Sequence, residues 1–205
     1  MYIYCDQCLW IFKHPSQTMD HDGLTTRTVR TKQLKFPLYF KLSCLIIFPL
    51  KCRFGRTGEF VVIMSPTDQG YFEPDTSALI RLKLASEYGY AINPATIVTD
   101  KLNLLGTGAH PFWRWIEGTC RAPSGLGRIQ GNYEKFLVDG RTGKAVRRYP
   151  RKYQPFDIAE DINAIMKGSG LPPAGSNWKE EWRNSDKEAE RDTYRFQKGL
   201  NVFDQ

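Results

Sequence analysis

The sequence predicts an α/β domain, a mixed sheet with helices packed on it. Three observations predict it. Two short apolar runs, Leu42–Leu50 and Glu59–Met64 (EFVVIM), have the length and branching of buried strands. Two later segments repeat apolar residues at helical spacing: Leu79, Ile80, Leu84 and Tyr88, then Ile158, Ile162 and Ile165. Between them, Tyr133–Asp139 and Lys144–Tyr149 read as strands around Gly140-Arg-Thr-Gly143, a turn with two glycines, and so as a hairpin.

The elements follow in order. Residues 1–35 show no clear period and many turn-prone residues, and read as loosely ordered. Asp75 or Thr76 can cap the first helix, and Gly89 can stop it. Ala95–Thr99 fits a short strand. Pro111 suits a first helical turn, with Phe112–Ile116 following. Ala122–Gly131 is a glycine-rich loop. Asp157 can cap the last helix of the domain, and Gly168 ends it. GSGLPPAGSN is a linker by composition, and the tail 177–205, charge-rich with Trp178 and Trp182, reads either as a peripheral helix or as disordered chain. The predicted organisation is a loose segment 1–41, a folded domain 42–167, and a linker with a charged tail 168–205.

Hydrophobic residues make up 41% of the 205, enough for a real core. Lysine and arginine number 29 against 22 acidic residues, a net of +7. The excess is local: residues 121–153 hold nine basic and two acidic residues, again a net of +7. Such a patch attracts nucleic acid, phospholipid headgroups or a small acidic substrate, and is equally the mark of a solvated hairpin. No helix-turn-helix, zinc finger or aromatic RNA platform accompanies it, which argues against a specific nucleic-acid partner. The longest apolar run, 36–50, falls short of the roughly 20 residues that span a bilayer. The N-terminus lacks a basic leader, so a cytoplasmic location is expected. The five cysteines are odd in number and irregularly spaced, which is no disulfide framework. Cys5 and Cys8 have CxxC spacing. Zinc would need two further ligands, and His14 and His21 are badly spaced for it; no metal is expected. A redox CxxC is expected at a strand-to-helix junction, not this close to the chain start.

Several ordered motifs carry a resemblance. AHPFWRW (109–115), NYEKFLVDGRTGKAVRRY (132–149) and DIAEDINAI (157–165) resemble the glutathione peroxidases. SPTDQGYFEPDT (65–76) is similar to the family's glutamine-bearing segment, and LIIFPLKCRFG (45–55) to its apolar strand ending in a cysteine. The resemblance implies a thioredoxin-like fold and thiol-dependent reduction of hydroperoxides. A thiolate attacks the O–O bond and becomes a sulfenic acid, which a second thiol reduces. Carried over by motif, the nucleophile is Cys52, with Gln69 and Asn132 as hydrogen-bond donors beside it. Lys135, Arg147 and Arg148 are candidates for drawing in glutathione carboxylates or anionic lipid peroxides. No cofactor is implied beyond glutathione as reducing co-substrate. The basic segment 121–153 could meet an anionic lipid surface, and the short loop before Asn132 resembles the monomeric phospholipid-hydroperoxide type.

Two departures stand out. Gly131 occupies the place of the family's tryptophan donor. Only about eight residues separate Cys52 from the strand at 59, where a parallel crossover needs a dozen or more. The rival expectation is a catalytically degenerate thioredoxin-like protein with a binding or regulatory role. His110 is expected to make a structural hydrogen bond, and Phe112, Trp113 and Trp115 to serve the core.

Overall fold

The structure is a computed structural model and describes residues 7–12, 54, 58–69, 75–88, 95–130 and 133–191. Among the described residues, five strands form one sheet: β1 (Gln7–Phe12), β2 (Phe60–Ser65), β3 (Thr96–Val98), β4 (Glu134–Asp139) and β5 (Lys144–Tyr149). Their spatial order is β3-β2-β1-β4-β5. β1 is antiparallel to β2 and parallel to β4, β2 is parallel to β3, and β4 and β5 form the expected antiparallel hairpin.

Among the described residues, four α-helices accompany the sheet: α1 (Ser77–Tyr88), α2 (Pro111–Thr119), α3 (Ala159–Met166) and α4 (Ser176–Arg191). The strands alternate their side chains between two cores. On one face, Val62, Met64, Leu137 and Tyr149 pack with Ile80 and Leu84 of α1 and Ile162 and Ile165 of α3. On the other, Phe136 and Val138 pack with Trp113 and Ile116 of α2, and with Leu104 and Ile129 from the loops. The α/β reading therefore holds, with helices on both faces.

The caps show why these segments are helices. Thr76 accepts the Leu79 N–H through its hydroxyl (3.3 Å) and so caps α1. Asp75 is buried and ion-paired with Lys83 of that helix. His110 caps α2, its Nδ1 accepting the Phe112 N–H (3.3 Å), with Pro111 in the first turn, so the expected structural role of this histidine is met. A short 3₁₀ turn, Pro155–Ile158, precedes α3, and it absorbs Asp157, which makes no cap. Gly168, at φ +70°, ends α3 in a Schellman arrangement: its N–H donates to Ile165 and that of Ser169 to Ala164 (both 3.0 Å).

Two differences from the sequence reading matter. The apolar run Leu42–Leu50 lies outside the described residues, and the central position between β2 and β4 is filled by β1, from the segment read as loosely ordered. Six residues, CLWIF among them, give too short a run for a period to register, and a central strand need not alternate. The second concerns α4, which the sequence left open between a peripheral helix and disordered chain. The first half of the charged tail is a helix that runs beside the edge strand β5, where Trp178 Nε1 donates to the Arg148 carbonyl (2.9 Å). It covers an edge that would otherwise offer unpaired backbone groups. Among the described residues no helix is long and apolar enough to cross a membrane.

Candidate active site

One end of the sheet gathers the chemistry-bearing segments. Gln7 at the start of β1 stands opposite Ser65, the last residue of β2, on one side and Glu134, the first of β4, on the other. Lys135 stands opposite Tyr149, the last of β5. The loop after β2 carries Gln69, and the turn before β4 carries Asn132. The sheet thus delivers both motif segments to the same end. Asn132 itself and Cys52 lie outside the described residues.

Gln69 is held by backbone. Its Oε1 accepts the N–H groups of Leu104 (2.6 Å) and Leu105 (2.9 Å), and its Nε2 donates to the Leu105 carbonyl (3.0 Å). These bonds pin the 102–106 loop against the end of β2. A pocket of about 310 Å³ opens beside it, lined by Asp68, Gln69, Asn103, Leu105, Gly106, Thr107 and Gly108. Asp68 in this lining is ion-paired with Lys101 (2.8 Å). One amide hydrogen of Gln69 remains for a reacting group, since an amide nitrogen carries two.

The turn before β4 is built as firmly. The Gln130 N–H donates to Glu134 Oε1 (2.6 Å), and Gln130 Nε2 donates to Asp186 of α4 (2.8 Å). Tyr133 adopts φ +67°, a left-handed conformation that a bulky residue rarely takes. Strain of this kind persists only where surroundings over-determine it, and it collects at functional sites.

The three basic candidates are bonded within the fold. Lys135 is buried, and its ammonium donates to the carbonyls of Arg151 (2.7 Å) and Tyr153 (2.8 Å). Arg147 donates to Asp161 (2.7 Å) and to the Pro172 carbonyl. Arg148 is wholly buried. It pairs with Glu134 (2.6 Å), donates to the carbonyls of Gly127 (2.7 Å), Arg128 (2.8 Å) and Leu126 (3.2 Å), and lies between the rings of Phe136 and Trp182. Each of the three is engaged with carboxylates or carbonyls of the fold. Their sequence position promised solvent; strand alternation and α4 turned them inward. Lys152 pairs with Glu188 and Arg141 with Asp139, so the positive segment is spent largely on holding the fold.

Sequence reasoning missed the acidic partners. Glu134 and Asp161 are buried, and Asp161 accepts from both Arg147 and the Tyr149 hydroxyl (2.5 Å). The signal was available: Glu134 opens one hairpin strand and Arg148 is next to last in the other, but a charge alternating on a hairpin reads as solvated until a helix covers it. Cys120 is buried, and desolvation pushes its thiol up to about 11. It is held as the thiol, which is the unreactive form.

No family model matches the chain. The chain is 34% identical over 122 residues to a hydroperoxy fatty acid reductase of Synechocystis, covering 56% of this chain and 68% of that one. It is 29% identical over 112 residues to a chloroplastic phospholipid hydroperoxide glutathione peroxidase of Arabidopsis thaliana, covering 54% and 45%. It is 28% identical over 118 residues to the bovine phospholipid hydroperoxide glutathione peroxidase, covering 57% of each. The chain belongs to the glutathione peroxidase family. It spans about half the length of the curated relatives it matches.

Proposed function

We propose that this protein is a thiol peroxidase that reduces hydrogen peroxide or organic and lipid hydroperoxides, with glutathione as electron donor. The observation that carries the reading is the delivery of the Gln69 loop and the 130–134 turn to one end of the sheet. The names of the similar proteins, a hydroperoxy fatty acid reductase and phospholipid hydroperoxide glutathione peroxidases, support the substrate class.

The chemistry asks for a thiolate, a donor to steady it and room for a peroxide. Gln69 supplies an amide already fixed by its bonds to Leu104 and Leu105, so donating its free hydrogen costs little reorganisation. The pocket beside it has the volume for a small hydroperoxide head group. Asn132 supplies the second amide in this proposal, and the family motif offers Cys52 as the sulfur. Gly131 removes a third donor, which where such donors dominate lowers the rate by on the order of 10²–10³. The activity is therefore expected to be slower than that of a site with all its donors.

The test is peroxide-dependent oxidation of glutathione by the purified full chain, coupled to reduction of the disulfide formed. Turnover that disappears when the thiols are alkylated is the expected result. No turnover above the alkylated control, with either hydrogen peroxide or a fatty-acid hydroperoxide, would end this reading and favour a non-catalytic member of the family.

A further inference from the structure

The pocket beside Gln69 is lined mostly by polar side chains and glycines, and Asp68 brings a charge to it. We infer that this pocket seats the thiol co-substrate by its amino-acid head group. Asp68 receives the ammonium of the γ-glutamyl end of glutathione, and Asn103 and Thr107 hydrogen-bond the polar groups around it. The inference rests on the thiol-peroxidase reading and names the subsite of its reductant.

Three observations carry it. First, the lining suits a small peptide-like ligand. A volume of about 310 Å³ stands at the lower end of the range for ligand sites. Asn103 and Thr107 are exposed in it, and Gly106 and Gly108 leave backbone bare. A Cβ added at Gly108 would stand 3.3 Å from Asn103 Nδ2, a tight contact, so glycine here leaves the Asn103 amide its room. Second, the pocket is built before a ligand arrives. Gln69 holds the N–H groups of Leu104 and Leu105. The Leu102 N–H donates to the Pro66 carbonyl (3.0 Å), and the His110 N–H to the Asn103 carbonyl (2.8 Å), which closes the loop on itself. A preformed site spares the ligand much of the cost of ordering it. Third, the charges have the pattern of an amino-acid head group. Asp68 is half-exposed and its Oδ1 lies 2.8 Å from Lys101 Nζ. A surface pair of this kind contributes little to stability. A carboxylate has about four acceptor positions, so the bond to Lys101 leaves room for a second ammonium. The hairpin residues expected to draw in glutathione carboxylates are instead bonded within the fold.

The chemistry of the head group explains the match. The γ-glutamyl end carries an ammonium and a carboxylate on one carbon. It meets the Asp68–Lys101 pair with each charge facing its opposite, and charge-assisted hydrogen bonds are the strong ones. A hydroperoxide has no such charges and gains nothing from Asp68. The two substrates take turns, because the thiol reacts only after the peroxide has been cleaved and its alcohol released. One pocket beside Gln69 therefore serves both, and Asp68 acts on the thiol alone.

The experiment measures calorimetric binding of S-methylglutathione, which has no free thiol, to the full chain. The wild type should bind it, and Asp68→Asn should raise the dissociation constant about tenfold, the lower end for a hydrogen bond to a charged group. An S-methyl analogue lacking the γ-glutamyl ammonium should bind the wild type about tenfold more weakly than S-methylglutathione and should not distinguish it from Asp68→Asn. Glu160→Gln, which removes a charge of the same sign from an exposed position on α3, should bind as the wild type does. In turnover, Asp68→Asn should raise KM for glutathione and leave KM for uncharged hydrogen peroxide in place. No binding by the wild type, or equal binding by Asp68→Asn, would overturn the inference, and glutathione-dependent turnover by the same protein would then leave the peroxidase reading standing. Asp68-dependent binding without any peroxide turnover would sink that reading and keep the subsite.

Discussion

Arg148 shows how one side chain can decide a site's frame. Its guanidinium spends itself on Glu134 and on carbonyls of the loop that leads to the 130–134 turn, in a setting closed by Phe136 and Trp182. Removing one partner of such a pair strands the other charge in low dielectric. Arg148→Ala is expected to cost about 3–5 kcal/mol in urea unfolding. Arg148→Lys should recover little of it, because an ammonium cannot match the planar fork. Cys120 gives a pH test. Burial raises its folded pKa from 9.0 to about 11, so the folded state holds the proton more tightly than the unfolded chain. Its contribution to stability is whole below pH 9 and is lost as pH rises toward about 11. The stability of wild type should therefore fall more steeply across that window than that of Cys120→Ala, and parallel curves would show that the thiol titrates normally.

At the scale of elements, α4 is the feature that composition concealed. Its mean character is polar, and a linker-like run precedes it, so composition leaves a peripheral helix and a disordered tail both open. Yet Trp182 is almost wholly buried, Trp178 bonds the β5 backbone, and Asp186 holds Gln130. Three residues, at 178, 182 and 186, recur at four-residue spacing, which is one face of a helix. Trp182→Ala is expected to cost about 3–5 kcal/mol, read as a lowered denaturant midpoint with an unchanged slope. An unchanged midpoint would mean that α4 only decorates the edge of the sheet. The β4–β5 hairpin was legible for the opposite reason: alternation and two turn glycines are local, and nothing distant had to be known.

At the scale of the molecule, β1 joins the sheet. It pairs with β2 on one side and β4 on the other, so without it β3-β2 and β4-β5 share no backbone ladder. A chain begun at residue 13 is expected to lose cooperative thermal unfolding by circular dichroism, whereas a peripheral strand would leave a sharp transition at lower temperature. Such long-range pairing sits beyond the reach of a sequence reading. By itself the sequence determined the α/β class, the hairpin, α1, α2 and α3, and the family motifs, because caps, turns and periodicity act over a few residues. The tertiary structure alone decided which strand lies at the centre and which way the arginines face. Those depend on partners tens of residues away, and burial inverts the meaning that a charge or a short apolar run has in the open chain.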